Sequence, residues 1–404
     1  MSMARREIDF MPPSAVERWQ RTALIVGVLG TIGAIIGWIV NTERFYQSFL
    51  LGYMLCIGAT LGCLAVLMVY HLTGGKWGTV ARRILEAGTR TMPLMIVLFI
   101  PILVGLRHLY PWARPELVAV DEHLQHIGHS YLRPSLFIVR AVIYFAIWSL
   151  LIYWLNKISD RQDRPPLESF DVRLRRISGP GEVLYAFTIT FAAVDWVMSI
   201  DPHWMSTIFG LLFIAGHGLT ALCLVVVIGS LLVRHSPMKH AWQPEQFHDQ
   251  GKLLLAFTML WGWFSLSQWL IIWSGNLPEE ISWYLNRTRG GWEYWGSALL
   301  VVQFAIPFAL LLSRDLKMNW RTLRWIALLL IVARYFDLYF FVMPSFEGLE
   351  AHFRYNWLDV VVPAGIGGLW LAYFFWNLKR RPLLALYDDH VTVLLAEEKE
   401  HEHV

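Results

Sequence analysis

Charged residues are scarce in this sequence of 404 residues, and cysteine is scarcer still. Asp, Glu, Lys and Arg together make up 16% of the chain, whereas about 25% is usual for a soluble globular domain. The three cysteines, Cys56, Cys63 and Cys223, show no CxxC or CxxCH spacing, which argues against disulfides, zinc, iron–sulfur clusters and covalently bound haem. A formal net charge of +3 is too small to indicate a nucleic-acid partner. The composition therefore points away from a soluble protein.

Motifs for several kinds of chemistry are also missing. The sequence has no P-loop and no GxGxxG placed between a strand and a helix. A membrane-bound b-type haem needs two facing histidines at matching depth, but His71, His108 and His203 lie at the ends of apolar stretches. A quinone pocket is not excluded, because it needs only a few polar groups beside an apolar cleft.

Long apolar stretches dominate what is present, and hydrophobic residues make up 56% of the chain. A helix needs about 20 mostly apolar residues to cross a bilayer. Ten stretches meet this requirement: 22–40, 46–71, 91–110, 135–156, 181–200, 204–233, 251–273, 292–313, 321–343 and 357–378.

The basic residues are distributed unequally between the polar segments that separate these stretches. When a basic residue within four positions of a stretch end is counted with the adjacent segment, alternate segments carry 25 basic residues against seven. Cytoplasmic loops of membrane proteins carry this excess of Lys and Arg. The bias therefore predicts that both termini are cytoplasmic.

These observations predict an all-α polytopic membrane protein in the lipid bilayer. We expect a cytoplasmic N-terminal segment over 1–21, a membrane domain of ten transmembrane helices over 22–378, and a cytoplasmic tail over 379–404. The tail is too short to form a domain, so we expect a cytoplasmic docking tail or a disordered tail. Gly33 and Gly37, like Gly58 and Gly62, are spaced four apart and predict faces where helices pack closely.

Several polar residues fall inside the apolar stretches, where each is a candidate for function. Counted from the predicted outer end at about 1.5 Å per residue, four of them lie roughly 7 to 9 Å below the outer surface: Arg140, Asp195, Gln268 and Asp337. Arg334 and Gln303 lie about a turn deeper, His217 is near the midplane, and Ser265 shares a helix with Gln268.

This layer has two interpretations. Arg334 and Asp337 are three residues apart and can neutralise each other on one helix face, and Arg140 and Asp195 can pair between helices. Such pairs can be purely structural. Alternatively, Asp and His can exchange protons while Ser and Gln carry hydrogen bonds, which predicts a proton path open to the outer face.

Polar residues outside this layer have structural and functional interpretations too. Glu279, Glu280, Asp201 and His203 lie on predicted outer loops and are candidates for the exit of such a path, although solvated or interfacial roles are the simpler explanation. His123, His126 and His129 are spaced three apart, which predicts an amphipathic surface helix or, alternatively, a metal site. Asp201-Pro202 predicts that the sixth helix begins at once after the fifth.

The inner half of the predicted membrane domain carries fewer polar groups. Glu182 follows Gly179-Pro180-Gly181, where it could cap a helix beginning there. The sequence therefore does not predict a proton path across the whole membrane. It predicts a path through the outer half only.

Three stretches resemble a known family: DWVMSIDPHWMSTIFG (Asp195–Gly210), FSLSQWLIIWSGNLPEE (Phe264–Glu280) and ARYFDLYFFVMP (Ala333–Pro344). They are similar to the smaller, F-type membrane subunit of bacterial alternative complex III, also described as quinone-binding subunit 2 of a quinol:cytochrome c oxidoreductase and a member of the NrfD-like superfamily. The resemblance extends over the whole membrane region. It implies two four-helix bundles, from spans 2–5 and 6–9, with the first and tenth spans peripheral.

The resemblance also implies a set of partners in the bacterial cytoplasmic membrane. These are a larger NrfD-like sister subunit, multihaem and monohaem cytochromes c, an iron–sulfur subunit and small membrane subunits. Haem c and iron–sulfur clusters would belong to those partners, quinol would be the substrate of the complex, and this chain would hold no cofactor. Its implied role is a scaffold with a candidate proton path.

Three hypotheses follow. The first is a cofactor-free scaffold subunit of a respiratory or photosynthetic quinol oxidoreductase, with a proton half-channel open to the periplasm. The second is direct binding of quinol near Arg140, Asp195 and His203. The third is an independent ion or solute transporter, although the sequence shows no clear inverted repeat.

Overall fold

The computed structural model describes residues 9–165, 170–347 and 352–402, without the side chains of residues 279–280 and 397–402. Ten helices in these ranges are long and apolar enough to cross a membrane, which confirms the predicted all-α polytopic fold. We number them α1 Ala15–Val40, α2 Thr42–Thr73, α3 Lys76–Val104, α4 Pro134–Ser159, α5 Asp171–Trp196, α6 Phe209–Leu232, α7 Pro244–Gly275, α8 Trp292–Leu312, α9 Trp320–Val342 and α10 Leu358–Leu378.

The helices pack in two groups of four. In the first group, α2 contacts α3 and α5, and α4 packs between α3 and α5. In the second, α6 contacts α7 and α9, and α8 packs against both of these. Helix α6 also packs along α2 and α5, which joins the two groups. Helix α10 lies on α2, and α1 packs along α10 at the edge.

Contacts between the polar segments divide them into two sets, which match the two sides predicted from the basic residues. On the predicted cytoplasmic side, the backbone N–H of Leu383 donates to the carbonyl of Phe10 at 2.9 Å, and that of Tyr387 donates to the carbonyl of Gln162 at 2.8 Å. On the other side, His203 bonds Asp121. The first described residues and the C-terminal segment therefore lie on the same side of the membrane domain.

Three helices begin in places that the sequence analysis predicted wrongly. Helix α3 begins at Lys76, in a segment expected to be a loop, and continues with an interruption at residues 90–91 to Val104. Helix α5 begins at Asp171 and runs through Pro180. Helix α6 begins at Phe209, after the irregular residues 201–208. For α3 the reason is tertiary packing, which buries a polar helical segment that hydropathy alone assigns to a loop.

The C-terminal segment is folded onto the predicted cytoplasmic ends of the helices, so the expectation of a disordered tail is wrong for its described residues. Leu383 and Leu384 are fully buried, and the helix Asp389–Glu402 follows them. This helix contacts α3 and the short helix Met238–Ala241. The segment buries its apolar residues within this chain.

Small residues allow α1 and α10 to cross in backbone contact. A Cβ atom added to Gly365 would lie 2.7 Å from the backbone carbon of Gly30, closer than real Cβ atoms approach. Gly33 and Gly37 face the side chains of Val361 and Leu358 on α10. The predicted close packing therefore occurs within this chain.

Candidate functional site

Arg140 and Asp195 form a closed ion pair between α4 and α5 near their predicted outer ends. The guanidinium donates from Nε and NH2 to the two carboxylate oxygens of Asp195, each at 2.8 Å. The Tyr144 hydroxyl adds a third bond at 2.9 Å, and the guanidinium lies 3.8 Å above the Tyr131 ring. Asp195 is fully buried. A bidentate pair with this many partners fixes the geometry of both helices.

Arg334 and Asp337 form the second predicted pair, within α9, and both are almost completely buried. Trp261 of α7 donates from Nε1 to the Asp337 carboxylate at 3.2 Å. The Gln303 amide satisfies both of its ends when its oxygen accepts from Trp261 at 3.0 Å and its nitrogen donates to the carbonyl of Ala333 at 3.1 Å. Three helices of the second bundle therefore converge on one buried ion pair.

A π-helical segment places Gln303 in this group. Residues Leu300–Ala305 of α8 are wound as a π-helix, and Gln303 is the residue of this segment that is buried. Short π-helical insertions in α-helices occur often at functional sites, because they turn one side chain out of the regular helical register. Gln303 thus faces Trp261 and Asp337 rather than the lipid.

His217 lies at the junction of the two bundles, where α2, α5 and α6 meet. Its Nδ1 is 3.3 Å from the hydroxyl of Tyr185. Its ring fits against Gly58, where an added Cβ would be 2.9 Å from imidazole Cδ2. Gly62, a turn further along α2, faces the backbone of His217 and the side chain of Ala221. The small-residue face of α2 therefore makes room for a buried imidazole.

The residue before His217 in α6, Gly216, lies against the ion pair of α9. Gly216 faces the Arg334 guanidinium so closely that an added Cβ would lie 2.7 Å from Nε. Within the described part of the chain, His217 Nε2 and Arg334 NH2 are buried without a hydrogen-bond partner. Buried donors and acceptors of this kind are the usual anchor points of internal water.

Glu182 extends the same series toward the predicted cytoplasmic side. It lies one helical turn before Tyr185 on α5, and its buried Oε1 finds no hydrogen-bond partner among the residues described. The prediction that Glu182 caps a helix is wrong, because α5 begins eleven positions earlier. Glu182, Tyr185, His217, Arg334 and Asp337, here called the central series, follow one another through α5, α6 and α9.

The structure separates the predicted site residues that were expected to share one layer. In the described ranges, no hydrogen bond joins the Arg140–Asp195 pair to the central series. Gln268 bonds instead with Ser206 at 3.2 Å and Tyr284 at 3.4 Å. Ser265 is half-buried and hydrogen-bonds to no described residue. The predicted single layer is therefore divided: Arg140 and Asp195 pair in the first bundle, Arg334 and Asp337 pair in the second, and Gln268 bonds separately.

The residues predicted as exit groups lie on the outer loops. His203 bonds Asp121 at 3.0 Å and its ring centroid lies 4.9 Å from that of His123, and no described hydrogen bond joins it to Arg140 or Asp195. Burial raises the pKa of Asp201, and nearby Arg287 opposes that shift. The side chains of Glu279 and Glu280 lie outside the described residues. His123, His126 and His129 are exposed on the helix Glu122–Ser130, which confirms the predicted surface helix.

The sequence analysis missed a buried ion pair at the outer ends of α2 and α10. Arg44 donates to Asp359 at 3.0 Å and 2.5 Å, and Ser48 donates to the same carboxylate at 2.6 Å. Tyr339 of α9 also reaches this carboxylate at 3.2 Å. The rule that flagged Asp195 could have found Asp359, because it too lies inside an apolar stretch.

A second missed group lies at the predicted cytoplasmic end of α3. Arg82 and Arg83 both pair with Glu86 at 2.9 Å. Arg82 also reaches Asp388 of the C-terminal segment at 2.8 Å, and Arg83 reaches Asp163 at 2.5 Å. The i, i+4 spacing of Arg82 and Glu86 was the available signal, but the segment had been assigned to a loop.

No model of a known protein family matches this chain, and no curated protein matches it.

Proposed function

We propose that this chain is a cofactor-free membrane subunit of a quinol oxidoreductase of the alternative complex III type in a bacterial cytoplasmic membrane. In this proposal the chain scaffolds the complex and provides a proton half-channel open to the periplasm. Haem c and iron–sulfur clusters belong to partner subunits, and quinol is oxidised outside this chain. The resemblance of Asp195–Gly210, Phe264–Glu280 and Ala333–Pro344 to the F-type subunit supports the partner set.

The central series is the single observation that supports the proposed proton path. An ionised group within the membrane costs at least about 2.5–3.5 kcal/mol on insertion scales, so such groups are retained mainly where they are paired or functional. Here Asp337 and His217 can change protonation, while Arg334 and Tyr185 lie beside them. The path we propose runs from the outer face to Asp337, then past Arg334 to His217.

The separated Arg140–Asp195 pair supplies a matched control for this proposal. Asp195 is as buried as Asp337 and is also paired with an arginine, but it lies outside the central series. We therefore assign Arg140 and Asp195 a packing role. No described hydrogen bond joins Ser265 or Gln268 to Asp337, and we expect them to contribute little.

The test measures protons translocated per electron by the tagged complex in proteoliposomes. Asp337→Asn and His217→Asn should lower this ratio while quinol oxidation continues, and Asp195→Asn should leave it unchanged. Unchanged ratios in assembled Asp337→Asn and His217→Asn complexes would refute the proton path and leave a scaffold role.

Membership of the complex is tested separately, by purifying the tagged chain from its native membrane in mild detergent. We expect co-purification of c-type haem, visible in the reduced-minus-oxidised absorption spectrum, and of a larger membrane subunit. Recovery of this chain alone, stable and without haem, would contradict the proposal and favour a transporter.

A further inference from the structure

A cavity of about 360 Å³ lies between the cytoplasmic ends of α4 and α5, outside every group described above. Its walls carry four basic side chains: Lys157, Arg161, Arg173 and Arg176. Trp154, Ile158 and Ile177 provide an apolar floor. We call this cavity the basic cleft.

Helical spacing explains how the basic side chains meet. Lys157 and Arg161 are four positions apart at the end of α4 and in the turn that follows it, so they share one face. Arg173 and Arg176 are three positions apart in the first turns of α5 and share another. Because α4 and α5 pack side by side, the two faces enclose the cleft.

The acidic residues around the cleft are turned away from it. Asp160 pairs with Arg90 at 2.8 Å, Asp163 with Arg83 at 2.5 Å, and Asp171 with His390 at 3.0 Å. Within the described ranges, none of the four cleft cations has a carboxylate at salt-bridge distance. Among the described residues, the cleft therefore concentrates four positive charges without a paired carboxylate.

The surface next to the cleft is apolar and faces the lipid. Leu150 on α4 is 58% exposed, and Val183 and Phe187 on α5 are 56% and 63% exposed. Tyr153 and Trp154 lie at the boundary, where aromatic side chains are enriched in membrane proteins. The surroundings of the cleft therefore match a ligand with an anionic end and a long apolar part.

We propose that the basic cleft binds the headgroup of an anionic glycerophospholipid from the cytoplasmic leaflet. Its phosphate is held by Arg161 and Arg176, with Lys157 and Arg173 at the rim, and its acyl chains lie along the exposed faces of α4 and α5. Basic pockets between transmembrane helices on the cytoplasmic side suit such headgroups. Arginine also suits phosphate because its guanidinium donates two parallel hydrogen bonds.

The test measures lipid bound to the full-length chain, in detergent or in whatever complex it forms, by native mass spectrometry. The protein is titrated with phosphatidylglycerol, cardiolipin and phosphatidylcholine. The double variant Arg161→Gln with Arg176→Gln should bind the two anionic lipids roughly tenfold more weakly. The matched control is Arg164→Gln with Arg175→Gln, which removes the same charge from exposed neighbours outside the cleft and should bind as the unaltered chain does.

Competition distinguishes a lipid from a soluble anion. Inorganic phosphate and glycerol 3-phosphate at millimolar concentration should not displace phosphatidylglycerol, because neither carries acyl chains. Displacement by either compound would identify a soluble phosphate site and overturn the lipid assignment. Equal binding of anionic lipid by the two double variants, or equal binding of phosphatidylcholine and phosphatidylglycerol, would also overturn it. Thermal melting of both variants checks that the fold is retained.

Discussion

The charged residues buried inside the helix bundles are stabilised by specific protein partners. Arg334 and Asp337 are both about 98% or more buried, so each depends on the other for charge compensation. Removing one member of a buried pair leaves an isolated charge, which costs more than removing both members. The order of these costs can be measured.

Asp337→Asn should lower the free energy of unfolding by about 3–5 kcal/mol, because it leaves the Arg334 guanidinium buried without a counter-charge. The double variant Arg334→Gln with Asp337→Asn should recover part of that loss. Thermal unfolding in detergent provides the measurement. A double variant that is less stable than the single variant would contradict this account of the pair.

Asp359 is expected to be as sensitive, because Arg44, Ser48 and Tyr339 all converge on it. Asp359→Asn should cost about 3–5 kcal/mol, whereas Ser48→Ala removes one hydrogen bond to a charged group and should cost about 1.5–3 kcal/mol. The same unfolding assay ranks the two. Equal, small effects would show that this carboxylate does not hold α2 against α10.

At the scale of helices, close approach depends on where small residues fall in the helical period. Gly365 and Gly367 lie two positions apart on α10. A Cβ added to Gly365 would collide with the backbone of α1, whereas a Cβ added to Gly367 would have no atom within 4 Å. This difference gives a comparison within one helix.

Gly365→Val should separate α1 from α10 and destabilise the protein by about 1–3 kcal/mol, because the obstructing atoms are backbone and cannot rotate away. Gly367→Val introduces the same side chain into open space and should change stability little. The two are compared by thermal unfolding, with cross-linking between cysteines introduced at Ala23 and Leu371 as a local readout. Unaltered cross-linking in the Gly365 variant would argue against the predicted separation.

The surface helix Glu122–Ser130 is stabilised at its N-terminus by Asp121. The Asp121 carboxylate accepts from the backbone N–H of Leu124 at 3.2 Å and of His123 at 2.9 Å. These bonds, with His203, hold the pKa of Asp121 below its ordinary value of 3.8. A depressed carboxylate pKa stabilises the fold above that ordinary value, and the contribution is lost as the pH falls through the lower, folded-state pKa.

Asp121→Ala at pH 6 should therefore accelerate hydrogen exchange in His123–Gly128, because the capping bonds are lost at every pH. Glu122→Gln removes a neighbouring acid that is not the cap and serves as the control. Equal exchange in the two variants would show that Asp121 does not cap this helix.

At the scale of the whole molecule, the C-terminal segment packs across the predicted cytoplasmic ends of several helices. Asp388 accepts from Arg82 at 2.8 Å, and the adjacent Asp389 is exposed. The C-terminal segment thus contacts α3, the turn after α4 and Phe10 near the start of α1.

Asp388→Asn should loosen this attachment and destabilise the fold by about 2 kcal/mol, because Arg82 loses one of two carboxylate partners. Asp389→Asn makes the same charge change at an exposed position and should have little effect. Limited proteolysis of the C-terminal segment provides the local readout, and thermal unfolding the global one. Identical digestion of the two variants would contradict a role for Asp388.

Composition and hydropathy alone were sufficient to predict ten membrane helices and both termini on one side. Hydrophobic length and the distribution of basic residues act locally along the chain, so each stretch carries its own signal. The pairs Arg140–Asp195 and Arg334–Asp337 were also predictable, because a charge inside an apolar stretch needs a counter-charge.

Tertiary structure alone decided how these groups are connected. Tyr185 joins His217 because α5 packs beside α6, and the π-helical turn of α8 brings Gln303 to Trp261, neither of which leaves a periodic trace in the sequence. Packing likewise buried Arg82 in a helix that hydropathy had assigned to a loop. Hydropathy reports whether a segment prefers lipid or water, whereas the partner of a buried polar group depends on contacts between distant segments.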